Sequence, residues 1–199
     1  MKKAIKGSYG YTSAHKKQQA LKTALYFALP LALVAVGLLS TNERINVLAV
    51  IGMAGALPAC KELVNLILFL PRKSMEPSVY EEIAPHVEPL EHVYELVLTT
   101  YEKNYPVDSL VICGSSVVGY SSKKDLDTKA AEDHIRKVLK DNGLRQNVKI
   151  FTDLKPYLKR VDELAARAEK EEIPYTPDER YPDLSREELI KYLILAISI

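Results

Sequence analysis

His86 and His92 flank Glu88 and Glu91, and this is the densest set of candidate metal donors in the chain. A zinc or iron centre needs several N, S or O donors converging at about 2.0–2.3 Å. No second His pair or Cys pair supplies the remainder, so the set reads as solvent-facing polar residues. His134, among Glu132, Asp133 and Arg136, has the pattern of a charged helix face. Ser115 and Ser116 follow Gly114, but they form no Gly-x-Ser-x-Gly elbow for a nucleophile. The run from Gly114 to Gly119 lacks the Gly-Lys-Ser/Thr ending of a phosphate cradle and leads into a strand rather than a helix. Cys60 and Cys113 fall in different parts of the chain, and two isolated thiols fit a reducing compartment. These residues call for no catalytic centre, no metal and no cofactor.

The elements that would carry them divide the chain sharply. Thr23–Ser40 has no charged side chain over 18 residues, which is about 27 Å of helix against a hydrocarbon core of roughly 30 Å. Ile45–Leu70 is a second apolar stretch, broken only by Lys61 and Glu62, and Thr41-Asn42-Glu43-Arg44 separates the two. So short a connection predicts an antiparallel membrane hairpin in which opposed residue numbers sum to about 85. Lys61 then lies level with Leu25 and one turn from Lys22, with both ammonium groups reaching the head groups. Lys16, Lys17, Lys22, Lys61, Arg72 and Lys73 are the expected membrane-interface residues. Ala24, Ala28 and Ala32 on one helix, and Gly52, Ala56 and Ala59 on the other, are the expected helix-packing positions, because small side chains let backbones approach in lipid. The basic flanks, read by the positive-inside rule, place both termini in the cytoplasm of a multi-pass cell-membrane protein.

Residues 74–199 hold 17 Lys and Arg against 24 Asp and Glu, a net −7 hidden beneath an overall +1. That balance excludes a general nucleic-acid binder. The expected organisation is a basic cytoplasmic tail (1–22), the hairpin (23–70), a Pro-containing linker (71–91) and a cytoplasmic α+β domain (92–199). Val93–Glu102 and Val107–Cys113 read as strands around a turn at Lys103–Pro106, with Val117–Ser121 as a third. In the second strand, alternation puts Val107, Ser109, Val111 and Cys113 on one face and Asp108, Leu110 and Ile112 on the other. A helix over Leu126–Asn142 buries Ala131, Ile135, Val138 and Leu139 and stops at Gly143. After a short strand, Asn147–Thr152, a helix from Asp153 buries Leu158, Val161, Leu164, Ala165 and Ala168. Ile173–Asp183 reads as a loop. Ser185 and Glu188 make a capping box for a last helix that packs into the core. The expected fold is a small, mostly antiparallel sheet of three to four strands with two to four helices.

This order of a helix, a three-strand meander, a helix, a strand and a helix resembles the restriction-endonuclease-like core, in particular its nuclease-related NERD-type branch. Asp108, near the start of Val107-Asp108-Ser109-Leu110-Val111-Ile112, matches that family's metal-binding Asp. The family's next strand carries Glu-x-Lys, whereas here it is Val117-Val118-Gly119-Tyr120-Ser121. The resemblance therefore implies the fold without its nuclease centre. The first 70 residues resemble uncharacterised two-pass membrane proteins of Gram-positive bacteria, which implies no activity. The expectation is a membrane-anchored binding or scaffold domain whose partners are the lipid bilayer and either another protein or a second copy of itself. The alternative is a divergent metal-dependent hydrolase centred on Asp108. Transport by the hairpin would need polar residues deeper than Lys61.

Overall fold

The computed structural model describes residues 5–40, 47–100, 103–168 and 181–198. The loop Thr41-Asn42-Glu43-Arg44 and most of the expected loop Ile173–Asp183 lie outside these residues. The chain forms two compact units, one from Thr12–Lys73 and one from Met1–Tyr11 together with Ser74–Ile199.

The first unit is a pair of long helices, α1 (Tyr11–Ser40) and α2 (Val47–Phe69), both long and apolar enough to cross a membrane. Their apolar side chains face outward: Leu29 is 68% exposed and Leu57 is 74% exposed. A core helix of a water-soluble protein would bury such residues. Pro30 and Pro58 both lie inside continuous helices. The helices meet where Gly52 leaves room, since a Cβ there would stand 2.8 Å from Val34 Cγ2 and 2.9 Å from Pro30 O. Ala59 is fully buried and Ala56 half-buried. The alanine stripe of α1 does something else, because Ala24, Ala28 and Ala32 are exposed. The buried positions of α1 are Thr12, Gln19, Thr23, Pro30 and Gly37, a face rotated away from the alanines. Polar pairing decides that rotation. Glu62 accepts from Gln19 Nε2 at 2.6 Å and from Lys22 Nζ at 2.9 Å, and Thr23 Oγ1 donates to its carbonyl at 3.2 Å.

The second unit is α+β. After α3 (Pro77–Val87) come β1 (Glu91–Thr99), β2 (Asn104–Cys113), β3 (Ser116–Tyr120), α4 (Thr128–Asp141), β4 (Asn147–Phe151), α5 (Leu154–Ala168) and α6 (Arg186–Ala196). The sheet order is β1-β2-β3-β4, antiparallel except for the parallel pair β3 and β4. Helices α4 and α6 cover one face around Ile135, Leu139, Ile190 and Ile194. Helices α3 and α5 cover the other around Ile83, Val87, Tyr157 and Val161. Both faces are thus dry, and the last helix is a core element, with Ser185 and Glu188 forming the expected capping box.

Three details depart from expectation. The stretch read as a linker is part of the domain, since Met75, Ile83, Val87 and Leu90 are buried in the second core cluster. Strand β2 begins at Asn104, so the turn is shorter than Lys103–Pro106. Pro106 is tolerated because its carbonyl points to the β3 side, where Ser121 Oγ donates to it at 2.7 Å. Its missing N–H faces the same way, past the last β2–β3 pair at Ser109 and Tyr120. Along α5, Ala168 is exposed, and the deepest residue is Tyr157, fully buried and bonded to Ser109 Oγ at 2.9 Å.

The strand faces also switch midway. Tyr94 pairs with Ser109 and Leu96 with Val107, so Glu95 and Asp108 are both skipped. One extra residue in each strand keeps the register and reverses the parity. Val107 consequently joins Leu110 and Ile112 in the first core cluster, while Val111 joins the second.

Gly52→Ala should force α1 and α2 apart and cost about 1–3 kcal/mol of overpacking, measured by SDS titration of the helix pair in mixed micelles; an unchanged midpoint would deny the close approach. Burial, followed by the neighbouring Tyr80 and Glu88, pushes the Tyr94 hydroxyl up to about 12. Burial also raises Tyr157, against the lowering effect of its Ser109 bond. A folded-state value above the unfolded one means that the folded chain holds protons the unfolded chain has released. The stability these two tyrosines contribute should therefore be level below pH 10 and fall as pH rises from 10 to 12, with Tyr94→Phe weakening that fall in urea melts followed by circular dichroism.

Candidate functional site

The positions where the chain leaves and rejoins the α+β unit converge on one carboxylate. Glu95 is the residue skipped in β1, its backbone is left-handed (φ 53°), and its side chain is only 6% exposed. Such a backbone costs a non-glycine residue roughly 1–2 kcal/mol, so other contacts must hold it. Glu95 Oε1 accepts from Gly10 N at 3.1 Å, Ser74 Oγ at 2.5 Å and Met75 N at 3.2 Å. Gly10 immediately precedes α1, and Ser74 follows the end of α2. One buried anion thus fastens both connections to the helix pair, from within the domain.

Residues 5–10, expected to belong to a basic tail, are built into the domain edge. Gly7 O accepts from Tyr94 N at 2.8 Å, and Tyr9 stacks on Tyr80 with ring centroids 3.8 Å apart. Gly7 is left-handed, and a Cβ there would press on Leu195 and Val93 at 3.1 and 3.2 Å. Lys6 Nζ donates to Leu195 O and Ser198 O, both at 2.7 Å, satisfying the last carbonyls of α6. The C-terminal segment covers the rest of that edge: Thr99 N donates to Ile197 O, and Leu98 bridges Ser198.

The opposite edge is capped by α4. Glu132, buried, accepts from Ile150 N at 2.9 Å, while Arg136 donates to Val148 O at 3.3 Å. These are two of the outward-facing groups of β4. Strand addition at either edge would therefore meet backbone groups that are already engaged. Among the described residues of this unit, the exposed large hydrophobics are Ile5 and Tyr192, well separated in sequence.

Asp108, the sequence candidate for metal chemistry, occupies the β2 position opposite the Glu95 slip. Its Oδ2 accepts from Ser122 N at 2.5 Å, anchoring the chain as it leaves β3. Tyr120 is raised by burial first and then by the charges of Asp108, Asp153, Glu82 and Glu76. Among the described residues, no three His, Cys, Asp or Glu side chains could hold a metal ion. His86 bonds Asp162 at 2.5 Å across α3 and α5, and His92 Nδ1 lies 2.8 Å from Leu90 O, so the two histidines serve separate structural contacts. His134 is lowered by burial and by Lys137.

The residues expected at a membrane interface make the following contacts. Lys16 Nζ donates to Leu70 O at 2.9 Å and to Arg72 O, and the Arg72 guanidinium lies 3.9 Å from the Phe69 ring centre. Lys22 pairs with Glu62. Lys17, Lys61 and Lys73 are exposed. Sequence reasoning missed Glu62 and Glu95 as organising residues. For Glu62 a signal existed, an acid within an apolar helix; for Glu95 there was none, since it sits in a strand pattern like any outward-facing residue.

Comparison with protein-family models, with curated proteins and with solved structures returned no match to this chain.

Glu95→Ala should leave three donors without their acceptor and destabilise the domain by about 2–4 kcal/mol; Glu95→Gln should recover part of that loss. Deleting residues 5–10 should free the Tyr94 amide. Hydrogen exchange localised to β1 would register this, and protection equal to that of the intact chain would contradict the edge role.

Proposed function

We propose that this chain is a membrane-anchored binding module: α1 and α2 span the bilayer, both termini face the cytoplasm, and the α+β unit binds its ligand next to the membrane. The observation that carries this reading is the Glu95 junction. A domain that uses the residues flanking its anchor as parts of its own edge and core is built to work attached to that anchor. The basic N-terminal flank, the outward-facing apolar side chains of both helices and the isolated thiols support the orientation and compartment. Tethering raises the effective concentration of anything that shares the membrane, commonly into the mM range for short connections. The closed sheet edges and the sparse exposed apolar surface turn recognition away from strand addition and large hydrophobic interfaces, towards polar contacts and concave sites.

A metal-dependent hydrolase on the NERD-type pattern is the second reading, and it rests on the place of Asp108 in β2. It is the weaker one, because Asp108 is engaged by a backbone N–H and lacks a Glu-x-Lys partner.

Reporter fusions before Met1 and after Ile199 should both be active on the cytoplasmic side, and extraction should require detergent. A periplasmic or extracellular signal from either fusion would overturn the topology. For the hydrolase reading the decisive measurement is Mn²⁺ titration of the full chain. No saturable binding, and none lost in Asp108→Ala, is the expected result; tight binding abolished by that substitution would replace the binding module with the enzyme.

A further inference from the structure

At one end of the sheet a cavity of about 600 Å³ opens between the β2–β3 turn, the end of α5 and the start of α6. Its size lies within the range of small-molecule sites. Leu90, Ile112 and Leu164, all buried in the cores, contribute apolar walls. Its polar groups fall into two classes. Some are already committed: Glu187 Oε1 accepts from Gly114 N at 3.3 Å, Ser185 caps α6, and Glu91 is paired with Lys191. Others are not. Arg167, in the last turn of α5, and Arg186, in the first turn of α6, line the same cavity, and neither makes a hydrogen bond or ion pair with a described residue. Ser115 is exposed at the rim.

Five basic side chains of this unit, Lys6, Arg136, Lys149, Arg160 and Lys191, have partners, and none of the five lines a wall between α5 and α6. Arg167, exposed, and Arg186, half-buried, come from separate helices to one partly apolar cavity, in a domain whose net charge is negative. Guanidinium forks match the geometry of carboxylate and phosphate oxygens, and two of them can hold one anionic group from both sides. The apolar walls then suit a hydrophobic body rather than a bare inorganic ion.

We propose that this cavity binds a small organic anion, a phosphate or carboxylate on an apolar body, with Arg167 and Arg186 gripping the charged group and Leu90, Ile112 and Leu164 contacting the body. The inference deepens the binding-module reading by naming its ligand class. That chemistry belongs equally to a lipid headgroup with its first carbons and to a soluble metabolite.

The test uses the full chain in neutral phosphatidylcholine nanodiscs, titrated with phenyl phosphate, inorganic phosphate and phenol by calorimetry. Phenyl phosphate should saturate with a Kd below about 1 mM. Inorganic phosphate should bind roughly tenfold more weakly, and phenol should not saturate. Arg167→Gln and Arg186→Gln should each weaken phenyl phosphate about tenfold, the double variant should abolish binding, and Lys at either position should retain part of it. Melting temperatures equal to the parent's confirm that the variants are folded. Phenyl phosphate that fails to saturate, binds no better than inorganic phosphate, or binds the double variant undiminished would each overturn the proposal. Nanodiscs containing phosphatidic acid separate the sources. Competition that disappears in the double variant supports the site with a lipid headgroup as its ligand, and unchanged phenyl phosphate affinity supports it with a soluble one. Loss of phenyl phosphate binding with both reporters still cytoplasmic would remove the ligand class alone and leave the membrane-anchored reading standing.

Discussion

A carboxyl group taken out of water costs free energy unless hydrogen-bond donors surround it, and Glu95 meets that demand with groups from far along the chain. Gly10, Ser74 and Met75 reach it because β1 slips by one residue at that point, which turns the side chain towards the chain's two connections to the helix pair. The slip, the left-handed backbone and the three hydrogen bonds form one arrangement. Without the donors the backbone conformation would carry an uncompensated penalty, and without that conformation the carboxylate would not face them. The matching slip at Asp108 keeps β2 in register and reverses the side-chain parity of both strands together.

That reversal shapes the two cores. Because parity changes midway, Val93 and Leu96 point to the same side, and so do Val107 and Leu110. Each face of a short sheet therefore receives a wide apolar surface and can carry two helices. Closure at the edges follows a related economy: the chain's own two ends cover β1, and polar side chains of α4 cover β4. A sheet sealed in this way resists unwanted strand pairing. One opening that remains is the cavity between the β2–β3 turn and the adjoining ends of α5 and α6.

The helix pair obeys a different rule. Apolar side chains of both helices face outward all round and give no preference for one rotation over another, so close backbone approach and polar pairing decide it. Gly52 permits the approach, and Glu62, bonded to Gln19 and Lys22, selects the face. The alanine stripe, attractive as a packing motif, has no polar partner to favour it and ends on the outside.

Much of this was legible in the residues. The two apolar stretches, the antiparallel register near a sum of 85, the α+β class, the Ser185 cap, the Gly143 stop and the buried last helix all follow from local rules: the length of an apolar run, the 3.6-residue period and the donors a helix end leaves open. These are interactions between neighbours in sequence, so a linear reading reaches them. The joining of residues 5–10 to β1, the role of Glu95, the parity switch, the rotation of α1 about Glu62 and the placing of Arg167 and Arg186 on one cavity were decided by tertiary structure alone. Each depends on groups tens of residues apart satisfying one another's charge or hydrogen bonds, and that demand leaves no periodic trace in the chain.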